Sequence, residues 1–210
     1  MAERGARGPG AAEERSGERA RIVDAAYRAL AATDGSSASV GDILAEAGLS
    51  TRAFYRHFGS KDDLLIAMFR RDAATLTAEI RAATAAATSP TDALRRFVRG
   101  TLRLTSDPRR RHVLVILSEE AVRAKGYAAE RARLDAASEA LIAAIIKRGR
   151  ASGDFPGAGD IAADAGSIGA LLRHAVDEQR ARPSPGGARA AADRVVGFAL
   201  RALGGTATRP

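Results

Sequence analysis

Residues 39–61 read Ser39-Val-Gly-Asp-Ile-Leu-Ala-Glu-Ala-Gly-Leu-Ser-Thr-Arg-Ala-Phe-Tyr-Arg-His-Phe-Gly-Ser-Lys61, two short helical patterns broken at Gly48 and closed by a cation. Ser39 and Asp42 have the spacing of a capping box, in which each side chain satisfies a backbone N–H that the first helical turn leaves open. Val40, Ile43, Leu44 and Ala47 give the first helix an apolar face. Gly48 stands where that helix must stop in a left-handed residue, a conformation glycine adopts without steric cost. Ser50 restarts a helix through His57. Phe54 and Phe58, four apart, point one way, while Arg52, Tyr55 and Arg56 cluster on the other, with Thr51 at the leading end. One face is core and the other is not.

Before this stretch, residues 1–15 are rich in Gly, Ala, Glu and Arg without periodicity and read as a disordered arm. Arg4, Arg7 and Arg15 are nearly cancelled by Glu3, Glu13 and Glu14, so the arm reads as a solvated tail or as cations laid along a polyanion. Ser16 is expected to cap a helix to about Ala32, with Ile22, Ala25, Ala26, Ala29 and Leu30 at helical spacing and Thr33-Asp-Gly35 ending it.

After it, Ser60 and Asp63 repeat the capping-box spacing and open a helix through about Ala86, striped by Leu65, Phe69, Ala73, Leu76 and Ile80. Ser89-Pro-Thr-Asp92 combines an N-cap, a proline at the first helical position and an acid at the third, predicting a helix from 90 to about 105. Asp107-Pro108 signals another, to about Arg123, carrying Val113, Leu114, Ile116 and Leu117. A further helix spans 127 to about 151 with Leu134, Leu141, Ile142, Ile145 and Ile146. Gly153-Asp-Phe-Pro-Gly-Ala-Gly159 is a connector and not a phosphate loop, since no Walker lysine follows. Asp160 caps a helix to about Arg180. Arg182-Pro-Ser-Pro-Gly-Gly187 is a loop, and the last helix, about 188–203, is expected to bury Val195, Phe198, Ala199 and Leu203 before Gly204-Gly205. With no strand alternation and no repeat, the chain reads as all-α with about nine helices: an arm (1–15), a small helical module (16–65) and a larger helical domain (66–210).

The 210 residues include no Cys, which removes disulfides and thiolate metal sites and fits a reducing compartment, the cytoplasm by default. No run approaches the roughly 20 apolar residues that span a bilayer, so no membrane association is expected. A net charge of +8 favours a polyanionic partner. The excess is nearly all Arg, with Lys only at 61, 125 and 147, and Asn and Trp are absent. That bias resembles a high-GC bacterial genome and gives part of the charge a plain explanation. His112 and His174 are isolated, and no nucleophile–base pair, paired carboxylates, zinc signature or phosphate loop stands at working spacing. No enzyme, metal or cofactor is expected.

Val40-x-Asp-Ile, Ala47-Gly48-Leu49-Ser50 and Phe54-Tyr55-Arg56-His57-Phe58-x-Ser60-Lys61, followed by Leu64-Leu65, make residues 18–65 resemble the DNA-binding domain of the TetR family of transcriptional regulators. The likeness covers about a quarter of the chain; the remainder is similar only in length and helix number. Two helices joined by a short turn can lay the second in the major groove, about 12 Å wide, with its leading residues at base edges. Arg52 suits base reading, because its planar fork can donate twice to guanine O6 and N7, and Thr51 suits a thymine methyl or a phosphate. The resemblance implies that Tyr55 and His57 hold phosphates, fixing register without reading sequence. Lys61 opens the next helix, where a cation opposes the dipole unless an anion is also there. The candidate DNA-binding set is Ser39, Ser50, Thr51, Arg52, Tyr55, Arg56, His57 and Lys61. Singly, Tyr55 also reads as a surface aromatic, His57 as a cation suited to a helix C-terminus and Lys61 as solvated. Gly41 departs from family members that carry a basic base reader there, and Asp42 reads as a cap.

The resemblance further implies a homodimer through helices 160–180 and 188–203, which would set two recognition helices about 34–36 Å apart on successive major grooves. The bundle is the place for a small-molecule effector of unknown identity, with Phe97, Leu114, Leu117, Ile142, Ile146 and Leu172 as candidate lining or as plain core. Arg109-Arg-Arg111 reads as a solvated run or as a patch facing an acidic ligand, DNA or a partner. The expected function is that of a ligand-responsive homodimeric repressor of a palindromic operator on double-stranded DNA. The alternative is an architectural or non-specific DNA-binding protein.

Overall fold

The structure is a computed structural model that describes residues 9–32, 38–103 and 122–205. Among these residues it is all-helical, with eight helices: α1 (Pro9–Ala32), α2 (Val40–Ala47), α3 (Thr51–His57), α4 (Lys61–Ala85), α5 (Pro90–Arg103), α6 (Tyr127–Ser152), α7 (Ile161–Ala181) and α8 (Gly187–Ala202). The helix expected over 108–123 lies outside the described residues, as do Arg109-Arg-Arg111 and His112.

Most helix starts follow the expected chemistry. Ser39 and Asp42 form the reciprocal box on α2, and Gly48 ends that helix in the left-handed region at φ 60°. Ser60 Oγ accepts from the Asp63 N–H at 3.1 Å, and Ser89 Oγ accepts from the Asp92 N–H at the same distance. Asp160 caps α7 through the N–H groups of Ala162 and Ala163. The start of α1 differs. It begins at Pro9, inside the stretch expected to be an arm, and Ser16 lies within it and does not cap it. Proline tolerates a first helical turn, where its missing N–H would be unbonded anyway, and Ala, Glu and Arg favour helix strongly enough to carry Gly10 and Gly17.

The chain divides into two compact units, with boundaries between Phe69 and Arg70 and between Tyr127 and Ala128. In the first, Ile22, Ala25 and Ala26 of α1 pack with Ile43 and Leu44 of α2, with Phe54 and Phe58, and with Leu64, Leu65 and Met68 of α4. The Tyr27 hydroxyl donates to the Met68 carbonyl at 3.2 Å, tying α1 to α4. This core continues along α4 beyond residue 65, which is why the boundary falls at Phe69.

The second unit's core joins Leu94, Phe97, Val98 and Leu102 of α5 to Ile142, Ile145 and Ile146 of α6, to Phe155 of the connector that follows, to Ile168 and Leu172 of α7, and to Val195, Ala199 and Leu200 of α8. Gly149 is buried because the Phe155 ring lies where its side chain would be. Phe198 corrects the expected core: it is 50% exposed on α8, whereas Val195, Ala199 and Leu203 are buried. It lies on the exposed flank of α8 that borders Leu171 and His174 of α7, a direction that helical periodicity alone could not assign, since α8 is apolar on more than one face.

Candidate nucleic-acid interface

The local sequence builds a presentation device from α2 and α3. Ser39 Oγ and its backbone N–H both donate to Asp42 Oδ2, at 2.7 and 2.9 Å, and Ser39 Oγ accepts from the Asp42 N–H at 3.1 Å. The hydrogen bond from the Ser39 hydroxyl, then that from its backbone, holds the Asp42 carboxyl below the ordinary aspartate range. Asp42 is thus bound to the cap. Ser50 Oγ accepts from the Ala53 N–H at 3.3 Å and opens α3.

Phe54 and Phe58 anchor α3 from beneath, 0% and 3% exposed, with ring centroids 5.6 Å apart. Packing so complete fixes the rotation of a helix only seven residues long. Thr51, Arg52, Tyr55 and Arg56 are consequently on its exposed side, with Tyr55 60% exposed. The Tyr55 ring stands edge-on to Phe54, centroids 5.3 Å apart, so the core also steadies the exposed phenol. Ser39 and Ser50 are exposed at the starts of the two helices, and Lys61 is half-buried at the start of α4.

His57 is placed differently from the other candidates. Its side chain is only 7% exposed, and Nε2 lies 2.8 Å from Oε2 of Glu18 on α1. The same oxygen accepts from Arg56 Nη1 at 3.2 Å. The imidazole is therefore committed to α1 and is withdrawn from the surface that carries Arg52 and Tyr55. Glu18, itself 14% exposed, is held below the ordinary glutamate range chiefly by the His57 hydrogen bond, with burial opposing and the Arg56 charge assisting. Glu18 gave no sequence signal: its partners are 38 and 39 positions away, beyond any local spacing rule.

Among the bundle candidates, Phe97, Ile142, Ile146 and Leu172 share the second unit's buried core, at 4% exposure or less. Leu114 and Leu117 lie outside the described residues. Among the described residues no group of three His, Cys, Asp or Glu side chains is placed to hold a metal ion, and no helix is long and apolar enough to cross a membrane.

Residues 22–68 match the family described as bacterial regulatory proteins, tetR family. The whole chain is similar in fold to a bacterial regulatory protein in the tetR family from Rhodococcus, at 27% identity and a TM-score of 0.66, covering 90% of this chain and 98% of that one. It is also similar to a TetR transcription regulator from Haloarcula marismortui, at 21% identity and a TM-score of 0.75, covering 89% and 98%. A third likeness is to the transcriptional regulator FadR from Bacillus subtilis, solved in complex with stearoyl-CoA, at 17% identity and a TM-score of 0.70, covering 87% and 98%. No curated protein matches the chain. With the capped α2–Gly48–α3 pair falling inside the matched residues, residues 22–68 are similar to the DNA-binding part of the tetR family, and the fold along nearly the whole chain is similar to that of solved TetR regulators.

Proposed function

We propose that the protein is a ligand-responsive homodimeric repressor of a near-palindromic operator, in which residues 16–65 bind DNA and residues 66–210 pair the chains and respond to an effector. The observation that carries the reading is the division of α3 into a buried aromatic anchor, Phe54 and Phe58, and an exposed side bearing Thr51, Arg52 and Tyr55. In this reading Arg52 reads a guanine, Thr51 meets a thymine methyl or a phosphate, and Tyr55 and Lys61 hold phosphates, with Ser39 and Ser50 at the edge of the contact and Arg56 beside it, tethered to Glu18. The placement of His57 supports a bracing role beneath α3 in preference to a phosphate contact.

Pairing of chains is supported by Phe198, exposed on α8 beside Leu171, His174 and Arg201 around one depression. A half-exposed phenyl ring supplies apolar area that a partner would bury. A small-molecule effector would act by selecting a bundle conformation whose recognition helices no longer match the groove spacing. Because a protein of similar fold is solved with stearoyl-CoA, a long-chain acyl-CoA is the first effector to try.

The test is selection of a binding site from a randomised duplex pool, followed by footprinting. Protection of an inverted repeat is expected, and Arg52→Ala should erode preference for that site over random DNA by about 1–3 kcal/mol. Equal protection of all sequences, with Arg52→Ala changing nothing, would instead mark an architectural DNA-coating protein.

A further inference from the structure

Glu18 sits where a DNA-binding surface gains nothing from a carboxylate. It faces the C-terminal end of α3, and its Oε2 takes hydrogen bonds from two side chains of that helix's last turn, 2.8 Å from His57 Nε2 and 3.2 Å from Arg56 Nη1. The Arg21 charge also acts on it, and its neighbour Arg19 lies 5.0 Å over the Phe58 ring, so α1 grips this end of α3 at two successive residues. A carboxylate near phosphates weakens binding to every sequence alike, since the phosphate attraction is blind to base identity. Helix capping does not account for Glu18, because it lies well inside α1.

We propose that Glu18 is a positioning residue that sets DNA specificity: by engaging Arg56 it withholds that guanidinium's charge from the phosphate backbone, leaving recognition to Thr51 and Arg52 at the opposite end of α3. The proposal rests on the DNA-binding reading above. Specificity is a difference between affinities, and removing an indiscriminate attraction raises it as surely as adding a base contact. Arg56, 49% exposed and tethered at one nitrogen, is the cation that would swing to a phosphate once the carboxylate is gone. His57 is too enclosed to follow.

The experiment measures binding of the full chain to a labelled 30-base-pair duplex of random sequence, and to a duplex selected from a randomised pool, across a salt series. Glu18→Gln keeps an oxygen that can accept from His57 but removes the charge; Glu18→Ala is the second removal. One regained phosphate contact steepens the plot of log affinity against log salt by about 0.9 and tightens random-duplex binding roughly eightfold at 0.1 M salt. Preference for the selected duplex should fall correspondingly. Adding Arg56→Ala to Glu18→Gln should return the slope to the wild-type value, and Glu18→Asp, which keeps the charge, should track wild type. An unchanged slope in both charge-removing variants overturns the proposal, as does uniform weakening on both duplexes with a lowered melting temperature, which would make Glu18 a structural brace only. Wild-type protein that binds neither duplex would instead bring down the DNA-binding reading itself.

Discussion

Arg70 Nη2 on α4 lies 2.6 Å from Oε1 of Glu130, a residue in the first turn of α6, and Arg133 one turn further on donates to the same oxygen. Glu130 is buried, and a buried carboxylate persists only when paired. The Arg70 hydrogen bond is the main reason its carboxyl is held below the ordinary glutamate range; burial opposes this and the Arg133 charge assists.

Because the folded protein holds this proton more weakly than the unfolded chain, the pair's stabilisation is present above the ordinary glutamate range and is lost as pH falls through the lowered folded value. Glu130→Gln should therefore melt below wild type at pH 7, and the gap should close on acidification. Parallel thermal melts from pH 7 down to pH 3 check this; a gap that stays constant would remove the ion pair as its cause.

Gly149→Ala should destabilise the protein by about 1–3 kcal/mol, the usual cost of overpacking a filled core. The new methyl would overlap the Phe155 ring, which is itself fully buried and has nowhere to go. Urea midpoints of the two proteins give the number.

Gly48→Ala tests a different effect. Nothing lies within 4 Å of a side chain placed there, so space is not the issue, but φ is 60°. A left-handed conformation costs an L-residue roughly 1–2 kcal/mol. Gly48→Asn, whose side chain tolerates that region better, should lose less, and equal losses would point to a cause other than backbone strain.

Phe198→Glu should leave the fold intact, because the ring is half exposed in the single chain, yet convert a dimer into a monomer in light scattering and abolish binding to an inverted repeat. Retention of a dimer would place the pairing surface elsewhere.

Local rules made the first unit legible. The box at Ser39, the cap at Ser60, the stop at Gly48 and the Phe54/Phe58 pair depend on spacings of three or four residues, and each is present in the structure. The Glu18 clamp and the Arg70–Glu130 pair were not legible, since they join residues 38 to 60 positions apart and arise only from how helices pack. Phe198 failed for a related reason: an Ala-rich helix with apolar residues on several sides does not declare which side meets its own core. The start of α1 was missed because charge alternation without an apolar stripe resembles a tail, although helix propensity alone can sustain it.

The opposed faces of α3 also say how such a protein can change its target over generations. Stability resides in the buried Phe54 and Phe58, while the exposed positions 51, 52 and 55 bear little of the packing. Substitutions at exposed sites of this kind usually shift stability by less than about 0.5 kcal/mol. If α3 reads DNA as proposed, the lineage is free to retarget itself one base pair at a time, exploring new addresses in the genome while the scaffold that presents them stays folded at every step.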